Sequence, residues 1–245
     1  MLDLEKIQII DLFPSIQGEG FLMGKRHIFI RVSGCNLKCK FKNSICDTAY
    51  SSYKPEKGKF TLDQVTDLVQ SDSATHICLT GGEVCLYPDM ITWVKQAFPH
   101  HHLTIETNGT IFPGNQIAQQ VDLVSISPKM LSSIDPQDQL KERRSIWINR
   151  SHETIASWIL YGKQTQLKYV VADEEDVKEA IKHIELIEKE LKIRINRDEV
   201  YLMPAGASFD ELCKTRPIVG ELAMQYGFSL TDRIQFNFFG NKREA

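Results

Sequence analysis

No run of apolar residues in this 245-residue chain approaches the roughly 18 that a membrane span requires. Residues Met1 to Gly20 interleave Asp3, Glu5, Lys6 and Asp11 with apolar side chains and contain no signal-peptide core. Neither a membrane partner nor export is expected, and the chain reads as cytoplasmic. Nor does one sign of charge dominate: the formal net charge is −3, with Lys and Arg scattered along the chain. That leaves no basic field to grip a nucleic-acid backbone, so the expected ligand is a small molecule. Internal repeats and low-complexity tracts are missing as well. With 42% apolar and 25% charged residues, the composition excludes disorder and suffices for a well-filled α/β core. We read residues 1–245 as a single domain.

Cysteine is sparse and unevenly placed. The chain has six, and in a reducing cytoplasm they are expected as metal ligands or buried apolar side chains rather than disulfides. Cys78, Cys85 and Cys213 have apolar neighbours and are expected to be of the buried kind. Cys35, Cys39 and Cys46 instead crowd the polar segment from Gly34 to Thr48, directly after the apolar run Ile28 to Val32. The odd number is informative, because a structural zinc site wants four protein ligands whereas a cubane iron–sulfur cluster held by three thiolates keeps one iron open. Reach does not discriminate: the four steps from Cys35 to Cys39 span up to about 14 Å and the seven to Cys46 about 24 Å, enough to wrap a cluster. A zinc site that recruits His76, Cys78 or Cys85, and a trio of thiols that merely packs, are the alternatives.

Short β-rich runs alternate with helical patterns, which predicts parallel strands joined by helical crossovers. Strands are expected near 26–33, 75–80, 102–107, 121–126, 166–172 and 198–204, and helices over 61–70, 88–98, 113–120, 173–191 and 209–226. The fourth helix is the clearest, since Val177, Ile181, Ile184, Ile187 and Leu191 recur at helical spacing behind an acidic first turn. Six such units fall short of a closed eightfold barrel and predict an open, partial (β/α)6 barrel with ligands at the carboxyl ends of its strands. Residues 129–164 read as an irregular insertion with one short helix, and 50–59 as a surface loop.

Polar groups follow the predicted strands. Thr80-Gly81-Gly82-Glu83 offers close backbone approach and a carboxylate for an ammonium group, although paired glycines after a strand also make an ordinary turn. Glu106-Thr107-Asn108-Gly109 and Ser125-Ile126-Ser127-Pro128-Lys129 repeat the pattern with groups suited to ribose and carboxylate. Ahead of the cysteines, Ser15-Ile16-Gln17-Gly18-Glu19-Gly20 adds amide and carboxylate, and Arg31 stands where it could pair with a substrate carboxylate.

Taken together, the cysteine loop followed by Asp47-Thr48, the Gly-Gly-Glu turn, Glu106 to Gly109 and Ser127 to Lys129 resemble the radical S-adenosylmethionine superfamily. Gln17 to Gly20, Arg31, Tyr201-Leu202-Met203-Pro204 and Gly240-Asn241-Lys242-Arg243 resemble its 7-carboxy-7-deazaguanine synthase family. The resemblance runs nearly end to end. It implies a lyase that contracts the ring of 6-carboxy-5,6,7,8-tetrahydropterin, with loss of ammonia, to 7-carboxy-7-deazaguanine, a precursor of queuosine. It implies a [4Fe-4S] cluster on Cys35, Cys39 and Cys46, and S-adenosylmethionine held near Ile45, Asp47, Gly82, Glu83, Ser127, Pro128 and Lys129. It further implies Mg²⁺ at Thr48, and substrate contacts from Ile16, Gln17, Gly18, Glu19, Arg31, Thr80 and the chain terminus Ala245. A homodimer reduced by flavodoxin or ferredoxin is the corresponding expectation. Two features depart from the family pattern. Six residues, rather than the usual two, separate Cys39 from Cys46, and Val84 stands where proline commonly follows Gly-Gly-Glu. A glycyl-radical activase of the same superfamily and a zinc-stabilised binding module are the rival readings.

Overall fold

The computed structural model describes residues 2–42 and 44–244. Strands β1 (Ile9–Ile16), β2 (Arg26–Val32), β5 (His76–Gly81), β6 (His102–Thr107), β7 (Leu123–Ile126), β8 (Thr165–Val171), β9 (Val200–Pro204) and β10 (Ser229–Leu230) form one sheet in that order. A separate two-stranded hairpin pairs β3 (Lys40–Phe41) with β4 (Ser44–Ile45). From β2 to β10 every pairing in the large sheet is parallel, and β1 alone runs antiparallel, against β2. The six expected strands are β2 and β5 to β9. The edge strand β1, with its irregular register, and the two-residue β10 were not anticipated. The sheet curls without closing, as an open (β/α)6 barrel does.

Helices cover the convex face, and their sequences show why they begin where they do. In α2 (Leu62–Ser71) the Thr61 and Gln64 side chains cap each other's backbone, and Val65 and Val69 are buried. In α7 (Glu174–Leu191) Asp173 accepts from the Glu175 and Asp176 amides, and Val177, Ala180, Ile184 and Ile187 face the core. Proline opens α3 (Pro88–Ala97), and Gly227 at φ 71° closes α8 (Phe209–Tyr226). Short turns form α1 (Ala49–Ser52), α4 (Asn115–Ala118) and α9 (Ile234–Phe239).

Residues 129–164 are irregular only up to Leu140. The rest folds into α5 (Lys141–Asn149) and α6 (Ser151–Tyr161), the second being the ordinary crossover between β7 and β8. Ile155, Ala156 and Trp158 of α6 enter the main core, and the Trp158 indole donates to the Ile111 carbonyl at 3.2 Å. The apolar residues of α6 crowd its second half, and α5 is charged at its start, so neither shows the periodicity that marks α7. Cys78 and Cys85 are buried as expected, but Cys213 is exposed, because it falls on the outer side of α8. Among the described residues no helix is long and apolar enough to cross a membrane.

Side chains alternate along a strand, and the register stacks those facing the barrel axis into layers. His27, His76 and His102 form the floor; Phe29, Cys78 and Thr104 lie above them; Arg31, Thr80 and Glu106 lie at the mouth. Glu106, Ser125 and Gln166 continue the polar row across β6, β7 and β8.

Candidate functional site

A cavity opens at the carboxyl ends of the strands. Its walls are Arg31 of β2, Thr80 to Gly82 at the end of β5, Glu106 to Asn108 at the end of β6, Ser127 and Lys129 after β7, Lys168 of β8 and Met203 of β9. Cys35, Cys39, Cys46, Asp47 and Thr48 border one side of it, and Ile16 to Glu19 another. Phe13 and Phe29, ring centroids 5.5 Å apart, make part of the base.

The cysteine loop shows how the long spacing is absorbed. Residues Lys40 and Ile45, then Phe41 and Ser44, pair across the β3–β4 hairpin, and the Cys46 amide donates to the Cys39 carbonyl at 3.0 Å. Cys39 and Cys46 therefore face each other across the base of the hairpin, and opposed residues of such a pair project to the same side. The pairing of Lys40 with Ile45 and of Phe41 with Ser44 thus takes up the long spacing while keeping Cys39 opposite Cys46. Phe41 packs beside Val170, Met203 and Ala205 at the ends of β8 and β9, and Lys42, at φ 42°, pairs with Asp173. The loop is fixed on its other side as well. Asn108 Nδ2 donates to Asn36 Oδ1 at 2.8 Å, and the Tyr53 hydroxyl donates to the Cys39 carbonyl at 3.1 Å. Gly82 passes so close that a Cβ there would meet the Gly34 carbonyl at 1.9 Å.

The donor set fits an iron–sulfur cluster by its chemistry. Burial pushes the Cys35 thiol well up, with Glu83 and the other two thiols adding to it. Burial takes Cys39 up to about 12 and also raises Cys46, to which Asp47 contributes. Three thiolates in such a space need a cationic body among them to offset burial and mutual repulsion. Among the described residues no three His, Cys, Asp or Glu converge as the ligands of one metal ion do.

Glu19 is the carboxyl of the cavity whose pKa is driven lowest. Burial works to raise its pKa, but Lys168 and then Arg233 outweigh it and hold the carboxyl at about 2. Lys168 Nζ lies 2.6 Å from Oε2 and Arg233 Nε 3.3 Å from Oε1. Gln17 is held by its own side chain, which donates to Glu106 at 3.1 Å and accepts from the Glu19 amide at 3.1 Å. Thr80 donates to Glu106 at 2.7 Å, and Lys129 to Ser127 at 2.6 Å. Arg31 Nε lies 2.9 Å from Asp11 Oδ2; the fully buried Asp11 also meets Arg243 at 2.8 Å. The Arg243 guanidinium in turn lies 3.6 Å from the Tyr50 ring centre.

Not every expected residue reaches the cavity. Glu83 is fully buried, and its carboxylate accepts from Thr107 Oγ1 at 2.6 Å, the Asn108 amide at 2.8 Å and the Cys85 amide at 2.9 Å. It ties the ends of β5 and β6 together. Ile45 is half exposed on the hairpin, and Pro128 lines a separate depression beneath it. Ala245 lies outside the described residues. Lys168, Arg233 and Gln235 line the cavity without having been singled out as site residues. Lys168 did leave a trace: a lone lysine inside the apolar strand Leu167-Lys168-Tyr169-Val170 is anomalous where both faces of the sheet are covered. Arg233 and Gln235 lie outside every quoted motif and left none.

A family described as a 4Fe-4S single cluster domain matches residues 16–152. A 7-carboxy-7-deazaguanine synthase of Halobacterium salinarum is 35% identical over 246 aligned positions, covering 98% of this chain and 93% of that one. The crystal structure of QueE from Escherichia coli shares the fold, with a TM-score of 0.59 at 20% identity over 92% of this chain and 93% of that chain. The corresponding synthase of Rhodopirellula baltica is 37% identical over 242 residues, 96% of this chain and 87% of that relative, and on this likeness the chain belongs to the 7-carboxy-7-deazaguanine synthase family.

Proposed function

We propose that the chain contracts the ring of 6-carboxy-5,6,7,8-tetrahydropterin to 7-carboxy-7-deazaguanine with loss of ammonia, as a radical S-adenosylmethionine lyase feeding queuosine and related deazapurines. The observation that carries this reading is the meeting, in one cavity, of three thiols with Gln17, Glu19, Arg31, Lys129 and Lys168. Cys35, Cys39 and Cys46 hold the [4Fe-4S] cluster. When bound there with S-adenosylmethionine, such a cluster would, on receiving one electron from an external reductant, supply a carbon radical able to remove one substrate hydrogen.

The chain's own residues position and shield. Gly82, Asp47, Ser127 and Lys129 face the cofactor side, with Ile45, Pro128 and the backbone at Glu83 shaping the loops around it. Ile16, Gln17, Gly18 and Glu19 face the pterin ring, the ionised Glu19 accepting from its N–H and amino groups. Arg31 takes the substrate carboxylate and Thr80 a further polar atom. The low-polarity base at Phe13 and Phe29 keeps water and stray hydrogen donors away from the reacting carbon. We assign Ala245 to the substrate on family likeness alone, and likewise a homodimer, a flavodoxin or ferredoxin as electron donor, and a cytoplasmic location.

Thr48 is the proposed Mg²⁺ ligand: its hydroxyl oxygen lines the cavity 3.4 Å from Cys46 Sγ, next to Asp47. Thr48→Ala is expected to lower turnover in magnesium about tenfold while iron content stays the same; an unchanged magnesium dependence removes this role.

The deciding experiment incubates anaerobically reconstituted protein with S-adenosylmethionine, reductant, Mg²⁺ and the carboxypterin, and looks for the deazaguanine by mass spectrometry. Production of 5′-deoxyadenosine without that product favours the activase. A colourless protein that contains zinc instead of iron favours the binding module.

A further inference from the structure

We propose that Arg233 is a specificity-determining residue that reads the 4-oxo group of the pterin, with Gln235 accepting from the ring edge beside it; this rests on the ring-contraction reading above. The edge of a pterin presents an amino group, an N–H and a carbonyl in that order. A carboxylate that accepts from the first two leaves the carbonyl just beyond one of its oxygens, so whatever flanks Glu19 on that side meets it.

Both oxygens of Glu19 are flanked by cations, and the two differ. Lys168 Nζ makes a well-formed hydrogen bond to Oε2 at 2.6 Å. Arg233 Nε, although 3.3 Å from Oε1, is a buried donor with no aligned acceptor. Arg233 is 7% exposed and lines the cavity, while its far end is held by the Gly206 carbonyl and by Asp47 at 3.3 Å. Gln235 Oε1 is a second buried polar atom without a partner, and it also belongs to the cavity wall. It sits so near Gly18 that a Cβ there would lie 1.6 Å from it.

The segment that carries both residues is fastened to the Gln17–Gly20 loop. The Ile234 amide donates to the Gly18 carbonyl at 3.1 Å, and the Gly20 amide donates to Thr231 Oγ1 at 2.7 Å. An unused donor and an unused acceptor are thereby fixed beside the carboxylate that takes the ring. Buried polar groups without partners are costly, and a ligand able to satisfy them recovers that cost. A carbonyl at position 4 does so at Arg233, whereas an amino group there sets N–H against N–H and leaves Arg233 Nε unsatisfied, and it also strips the neighbouring ring nitrogen of the hydrogen that Glu19 accepts.

The test compares binding of 6-carboxypterin and 2,4-diaminopteridine-6-carboxylic acid to the cluster-loaded protein by fluorescence titration. The wild type is expected to prefer the 4-oxo compound by at least about tenfold. Arg233→Met is expected to narrow the preference about fivefold, mainly by weakening the 4-oxo compound and leaving the share that Glu19 contributes through the ring N–H, and Arg233→Lys to give an intermediate value. Equal weakening of both compounds in Arg233→Met marks a merely structural residue and overturns the inference. Should that variant not fold, Arg233→Lys decides alone, because it keeps the charge beside Glu19 and Asp47; an unchanged preference overturns the proposal. A wild type that makes the deazaguanine without discriminating the two compounds defeats the inference only, whereas one that binds neither compound and makes no product defeats the functional reading itself.

Discussion

Strands β2, β5 and β6 present Arg31, Thr80 and Glu106 at the mouth of the barrel and His27, His76 and His102 at its floor, on the same interior face. At the mouth, buried charge is kept and matched: Glu19 lies between Lys168 and Arg233, and Asp11 between Arg31 and Arg243. At the floor the rings lie tilted against one another, with centroids 5.0 and 4.8 Å apart, and charge is suppressed. Burial, and then the neighbouring rings His76 and His102, take His27 down to about 4 against the pull of the Lys25 carbonyl. Burial lowers His76 and His102 too, although Asp122 works the other way on His102. Between the two lies the small apolar cluster of Phe13, Phe29 and Cys78. One barrel thus holds an ionised end that can grip a polar ligand and a neutral end that fills space, separated by an apolar layer that keeps the fields apart.

The sharpest way to break this comparison is to treat a thiol from each region alike. Cys39→Ser is expected to lower turnover by more than about a thousandfold and to reduce bound iron by at least half, because the oxygen is a far poorer ligand for an iron–sulfur cluster. Cys78→Ser, in the apolar layer, is expected to leave iron content unchanged and to cost about 1–3 kcal/mol of stability through its buried hydroxyl. Iron analysis with chemical denaturation checks both, and equal iron loss in the two variants removes the distinction.

Lys168→Met comes next. Breaking a buried pair from one side leaves an uncompensated charge, so a loss of about 3–5 kcal/mol is expected, together with a raised KM for the pterin. Adding Glu19→Gln to Lys168→Met is expected to recover much of the stability but none of the KM. Recovery of both measures signifies that Glu19 does not meet the substrate.

The mouth was largely legible in the sequence because most of its groups sit within a few residues of a strand's carboxyl end, where β-rich runs announce the strand and the next residues must face the cavity. Gly82, Asn108 and Ser127 were found in this way. Glu83 shows the limit of that logic, since adjacency to a strand end cannot say whether a carboxylate turns outward to a ligand or inward to neighbouring amides. Lys168 and Arg233 reach Glu19 from 149 and more than 200 residues along the chain, a separation that only the folded sheet closes. The β3–β4 hairpin was hidden for a different reason: two-residue strands carry no periodicity, so a spacing of six read as an obstacle when it is a means of bringing Cys39 opposite Cys46. α6 was missed because tertiary packing of Ile155 and Trp158, rather than an amphipathic pattern, stabilises it.

Acid sharpens the contrast at the mouth. Because the Glu19 carboxyl is lowered to about 2 in the folded protein, its pairing stabilises fully above the unfolded carboxyl value near 4.5 and is lost as pH falls toward 2. The expected contribution is on the order of 3 kcal/mol. Glu19→Gln is expected to flatten the stability profile between pH of about 4.5 and 2; a profile as steep as the wild type's shows that other carboxylates carry the acid limb.

The floor responds with the same sign but in a higher window and with a smaller effect. His27 is lowered from its ordinary 6.5 to about 4, so the unfolded chain takes up its proton first, and stability falls as pH drops through that interval. The ring leaves no room for the alternative: its Nδ1 faces the Lys25 carbonyl at 3.0 Å, and its buried Nε2 has no partner to receive a second N–H. At pH 5 the expected cost relative to neutral pH is about 2 kcal/mol. His27→Phe keeps a ring against Phe29 and His76 while removing the titration, so it is expected to match the wild type within about 1 kcal/mol at pH 7.5 and to surpass it at pH 5. Urea unfolding at the two pH values checks this. A variant that loses stability in parallel with the wild type between them shows that the floor is not kept neutral at His27's expense, and the contrast with the mouth then reduces to one of composition.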